Sequence, residues 1–134
     1  MKRVNIKCPY CGSQAHLRPA YVVYRDHTDD PVSKLYICTR YPACDAYVAA
    51  HKDTHLPMGT LANRNLRRKR MEAHSAMERL IRSGAMNRKQ AYRWLQTQFG
   101  LPASEAHIGK FSELRCQKVI DLCSTFRQTL YRAA

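Results

Sequence analysis

The segment CTRYPAC, residues 38–44, sets two cysteines around Tyr41 and Pro42, and its reading decides the fold. Its counterpart upstream is CPYCG, residues 8–12, where Cys8 and Cys11 form a tight pair followed by Gly12. Two close pairs separated by a longer insert are how four thiolates reach one tetrahedral metal. Gly12 permits the tight backbone of the first knuckle, and the 26 residues between Cys11 and Cys38 are enough for one hairpin to return the chain. The second knuckle is wider, so an extra turn shaped by Pro42 must bring Cys44 back. The expectation is one structural Zn2+ held by Cys8, Cys11, Cys38 and Cys44, a complete ligand set with no position open for catalysis. Competing readings are a redox dithiol at Cys8 and Cys11, which needs a thioredoxin-like βαβ context that is missing, or free buried thiols. Replacement of one cysteine ligand by His16 or His51 is a further alternative.

Working outward, the 134 residues allow one domain or two very small ones, with little surplus core. A formal charge of +13 and a pI near 9.9 favour a polyanionic partner. No apolar run approaches the roughly 20 residues needed to cross a membrane, and no apolar segment follows the basic start MKRVNIK. A cytoplasmic setting is expected, where paired cysteines serve as metal ligands more often than as disulfides.

The charge is unevenly spread. Residues 1–55 carry eight Lys/Arg against five Asp/Glu, a balance of +3, whereas residues 56–134 carry fifteen against five, a balance of +10. Periodicity changes at the same place, from short β-branched and aromatic runs to helical spacing. HLPMGT, residues 55–60, interrupts both patterns with Pro57 and Gly59. The expected organisation is α+β: a four-cysteine ribbon over 1–55 and a basic, three-helix part over 60–134.

Within the ribbon, AHLRPAYVVYRD and SKLYIC each have the Val, Ile, Leu and Tyr content of a strand, HTDDP at 27–31 is turn chemistry, and DAYVAAH supplies a third strand. Three short strands bury too little apolar surface to hold together without a staple, which zinc would supply.

In the second half, Leu66, Ala73, Met77, Leu80 and Ile81 recur at helical spacing over 61–83, and Gly84 is placed to end that helix. Its start, RNLRRKR, puts Arg64, Arg67, Arg68, Lys69 and Arg70 around most of the circumference. Five cations in seven residues repel one another unless an anion is near, so phosphate contact is expected, with a solvated helix face as the alternative. Asn87 with Gln90 forms a capping-box pattern for a helix over 88–99 that Gly100 and Pro102 end. Trp94 reads as a core anchor rather than a base-stacking platform. A last helix follows Ser112 to about residue 132, with Cys116 and Cys123 among its aliphatics as small hydrophobes. A second metal on Cys116, Cys123 and His107 fails because two turns separate the thiols by about 10 Å. His107 itself reads as a packed or capping residue in a loop.

Two resemblances rest on quoted segments. CPYCGSQAHLR followed by YICTRYPACDAYV resembles the four-cysteine zinc ribbons at the C-terminus of bacterial type IA topoisomerases, which have a CPxCG knuckle and a second pair with Tyr-Pro between its cysteines. That likeness implies a ribbon that binds single-stranded DNA through basic and aromatic residues on its strands. The longer hairpin insert here carries Asp26, Asp29 and Asp30, a departure from that pattern. Over nearly the whole chain, PMGTLANRNLRRKRMEAH, AYRWL and AHIGKF resemble a family of phage- or prophage-encoded zinc-finger-containing proteins of unknown function, a likeness that brings no catalytic residues.

Catalysis needs a nucleophile with its base, a carboxylate pair or an open metal. The ten acidic residues are scattered, with Asp29 and Asp30 in a turn, so no enzyme is expected. The expected function is nucleic-acid binding, DNA more than RNA and single strands favoured. Arg18, Arg25, Lys34 and Arg40 would contact phosphate, Tyr21, Tyr24, Tyr36 and Tyr41 would stack on bases, and the basic helix would add affinity. The alternative is a phage-encoded adaptor or inhibitor that docks on a host protein.

Overall fold

In the computed structural model, residues 4–24 and 33–133 are described. The chain divides into two compact units, Met1–Arg64 and Asn65–Ala134. The turn expected at 27–31, together with Arg25 and Asp26, lies outside the described residues.

The first unit is one antiparallel sheet of four strands in chain order: β1 (Ile6–Lys7), β2 (Gln14–Pro19), β3 (Lys34–Cys38) and β4 (Tyr47–Ala49). Opposite residues in such a sheet share a face. The register sets Ala15 against Cys38, and Leu17 against Tyr36, which in turn faces Val48. These residues line the ribbon's small core with Cys8, Ala46, Ala50 and Leu61. The strand expected in AHLRPAYVVYRD stops at Pro19, and Ala20–Val22 coils into a turn of 3-10 helix. Proline has no N–H for a ladder, and the last bond of the pairing is Ala20 N–H to Ser33 O at 2.9 Å. The two-residue β1 is too short to show any alternation in sequence, and it was not foreseen.

Leu61 and Ala62 were expected to belong with the helices. Instead Ala62 exchanges backbone hydrogen bonds with Tyr47 at 3.0 and 3.1 Å, and Leu61 and Ala62 are both buried in the first unit. Pro57 and Gly59 therefore mark a bend within the ribbon rather than its end.

The second unit holds α1 (Arg64–Arg82, its first residue at the boundary), α2 (Arg88–Phe99) and α3 (Glu113–Ala133). Their apolar stripes meet in one core of Ala73, Met77, Leu80, Ala91, Leu95, Ile108, Phe111, Cys116, Val119 and Cys123. Asn87 accepts the Gln90 N–H while the Gln90 side chain accepts the Asn87 N–H, completing the capping box. Gly100, at φ 62°, ends α2 in the left-handed conformation: its N–H reaches Thr97 O and that of Leu101 reaches Gln96 O. Trp94 is half-buried and meets Phe126 edge-on at 5.6 Å, the core-anchor role. The Cys123 thiol lies 3.6 Å from Met77 Sδ, and burial raises both remaining thiols, Cys123 to about 11. His107 is exposed and its side chain caps nothing, so neither the packed nor the capping role applies. Among the described residues, no helix is long and apolar enough to cross a membrane.

Candidate metal centre

Cys8 follows β1, and a tight turn carries the chain to Cys11: Gly12 N–H returns to Cys8 O at 2.9 Å and Cys8 N–H to Ser13 O at 2.7 Å. Gly12 sits at φ 76°, a conformation that side chains rarely adopt. Cys38 ends β3, and the second knuckle closes through Tyr41 N–H to Cys38 O and Cys44 N–H to Arg40 O, at 3.0 and 3.1 Å. The Tyr41-Pro42 peptide within it is cis. This is the extra turn that the wider spacing requires.

The four Sγ atoms lie within 4.8 Å of one another. Contacts run across the knuckles, Cys8 to Cys44 at 3.6 Å and Cys11 to Cys38 at 3.4 Å. These are far beyond a disulfide bond, and all four cysteines are free. A zinc–sulfur distance of about 2.3 Å in a tetrahedron puts neighbouring sulfurs about 3.8 Å apart, so the observed cluster fits zinc with little adjustment. Cys8 and Cys38 are buried, whereas Cys11 and Cys44 are partly exposed. Neither His16 nor His51 belongs to the cluster, and both are exposed. The donor set is that of one closed, structural zinc site.

The surroundings split the thiols by acidity. The hydroxyl and backbone of Ser13 bond the Cys11 sulfur and lower its pKa to about 6, whereas burial pushes Cys38 up to about 12 and also raises Cys44. Cys11 is thus the readier of these thiols to meet an ion as thiolate, whereas Cys38 and Cys44 must release their protons as they bind it.

The expected nucleic-acid contacts fare unequally. Arg18 and Arg40 are exposed, and Lys34 and Tyr41 are half-buried. Tyr21 and Tyr24 are 57% and 41% exposed, and Tyr24 meets Tyr47 edge-on with ring centroids 6.0 Å apart. Tyr36 must be withdrawn as a stacking residue: it is 5% exposed in the ribbon core, and its hydroxyl donates to His55 O. On α1, Arg64 and Arg68 are exposed, and Arg67 and Lys69 are half-buried. Arg68 approaches Glu72 at 3.7 Å, and Lys69 bonds Glu72 and Gln117. Arg70 must also be withdrawn: it is 8% exposed, and its Nε donates to Phe111 O at 3.2 Å. The signal was present in the sequence, because Leu66, Arg70, Ala73 and Met77 lie on one helical stripe. Sequence reasoning also missed Tyr10, whose hydroxyl accepts the Asn63 N–H at 3.1 Å, and His55, held at φ 60°.

Neither the curated proteins nor the solved structures contain a significant match to this chain. The sequence pattern of a zinc-finger-containing domain matches residues 4–126, which include all four clustered cysteines and most of both units. With that match over most of its length and a closed four-thiolate site at its head, the chain belongs to the zinc-finger-containing domain family.

Proposed function

We propose that the protein is a non-catalytic nucleic-acid-binding module that takes single-stranded DNA in preference to RNA or duplex. The observation that carries this reading is the exposure of Tyr21 and Tyr24 just after the exposed Arg18, on a chain of net charge +13. Leaving two aromatic rings partly in water forfeits some of their burial energy, and exposed rings and cations on one ribbon suit base stacking and phosphate neutralisation. Arg40, Lys34 and Tyr41 add to it on the ribbon, and Arg64, Arg67, Arg68 and Lys69 add positive charge on α1. The likeness of both knuckles to topoisomerase ribbons supports the same reading. The zinc site holds the ribbon together, and a reducing cytoplasm is the compartment in which its thiols persist.

The test is fluorescence-anisotropy titration of the zinc-loaded protein with single-stranded DNA, duplex DNA and RNA of equal length at several salt concentrations. Affinity that falls linearly on a log–log salt plot and is highest for single-stranded DNA supports the proposal. No binding at low salt removes it.

A second reading is a phage-encoded adaptor or inhibitor that docks on a host protein. It draws on the net charge of +13, which suits docking onto an acidic protein surface as well as onto phosphate. A host protein retained in a pull-down after nuclease treatment supports it, and loss of all partners on that treatment counts against it.

A further inference from the structure

A groove of about 980 Å³ lies against the ribbon sheet, lined only by residues of that unit. Its apolar lining comes from Val4, Leu17, Tyr36 and Leu56, and its polar lining from Asn5, Gln14, His16 and His55. Among the described residues no Lys, Arg, Asp or Glu contributes to the lining, although the chain carries +13. We infer that this groove receives the uncharged, heteroatom-rich ring of a nucleobase from a strand whose phosphates lie on the cations outside it. The inference rests on the nucleic-acid reading above and deepens it by assigning where a base is read.

Three observations carry the inference. Amides and imidazoles offer both donors and acceptors without net repulsion or attraction toward phosphate, so the lining suits a base edge better than a backbone. Neither the His16 nor the His55 imidazole has a hydrogen-bond partner among the described residues, which leaves ring nitrogens available to a ligand, whereas Asn5 and Gln14 bond each other and are oriented by that bond. Leu56 is 48% exposed beside a wall that includes Leu17, an apolar contact that a planar ring would cover. The backbone around His55 is held in place: the residue sits in the left-handed region, and its carbonyl accepts the Tyr36 hydroxyl.

The experiment compares two single-stranded DNA oligonucleotides of equal length and charge, one intact and one with abasic sites throughout. Each is titrated against the full zinc-loaded chain, against the His16→Ala/Leu56→Ala double variant and against both single variants. Zinc content and circular dichroism confirm that each variant is folded; both side chains are exposed, so at least one single variant is expected to remain so. The wild type should bind the intact strand much more tightly than the abasic one, and the double variant should lose about tenfold of that ratio while keeping abasic affinity. Equal wild-type affinity for both strands overturns the groove assignment and leaves the nucleic-acid reading standing. So does a variant that keeps the full ratio, because the bases are then read elsewhere. Failure to bind either strand at low salt removes both.

Discussion

Arg70 Nε donates to the carbonyl oxygen of Phe111 at 3.2 Å, so a guanidinium expected on a phosphate-binding face instead joins α1 to the segment that leads into α3. Its neighbour two positions back, Arg68, has a side chain 84% exposed. One basic run thus serves two purposes, separated by helical angle.

Arg70→Ala should therefore destabilise the helical unit by about 2 kcal/mol in chemical denaturation, since Phe111 O loses its partner in a buried setting. Arg68→Ala should leave stability within about 0.5 kcal/mol and instead weaken single-strand binding and flatten its salt dependence. Equal effects of the two substitutions on stability would contradict the assignment.

Removing the metal should unfold one unit only. Cys38→Ser, or a strong chelator, should abolish zinc binding and the dispersed NMR signals of the ribbon, whose small core includes Cys8 and Cys38 themselves. The helical circular-dichroism signal should survive, because α1, α2 and α3 share a core of their own. A cooperative loss of both signals would show that the helices depend on the zinc.

Arg88 grips Glu78 with both terminal guanidinium nitrogens, at 2.6 and 3.1 Å, and holds that carboxyl below its ordinary value of 4.5. A carboxyl depressed in the folded state stabilises the fold above its unfolded pKa, and the contribution fades as pH falls through the folded value. Glu78→Gln should thus lower the melting temperature at pH 7 and cost progressively less below about pH 4. A difference that stays constant down to pH 2 would show that the ion pair is not its source.

Tyr21→Ala and Tyr24→Ala should each weaken single-stranded DNA binding about tenfold, the effect of removing one stacking ring. Tyr36→Phe should instead lower stability by about 1 kcal/mol through the lost bond to His55 O. Anisotropy titration and thermal denaturation of the same three proteins separate the two roles.

What the sequence determined by itself was whatever depends on local spacing. The two cysteine pairs announce one closed metal site because thiolate geometry leaves little choice, and the Asn87–Gln90 box with Gly100 bounds α2 as observed because capping is a bond between near neighbours. The stripes of α1 and α3 were legible for the same reason. Tertiary structure alone decided where side chains of ambiguous type go. A tyrosine in an apolar strand reads equally as a core ring or a stacking ring, and it took the pairing of β3 between β2 and β4 to bury Tyr36. The stripe of Leu66, Ala73 and Met77 puts Arg70 on the buried side of α1, but only the fold supplies its partner, the Phe111 carbonyl from 41 positions away. The boundary moved likewise: Pro57 and Gly59 signal a break in local pattern, but only the long-range bonds between Tyr47 and Ala62 show that the chain re-enters the ribbon before α1 begins. Spacing is written in neighbours, whereas burial depends on which distant segments the fold brings together.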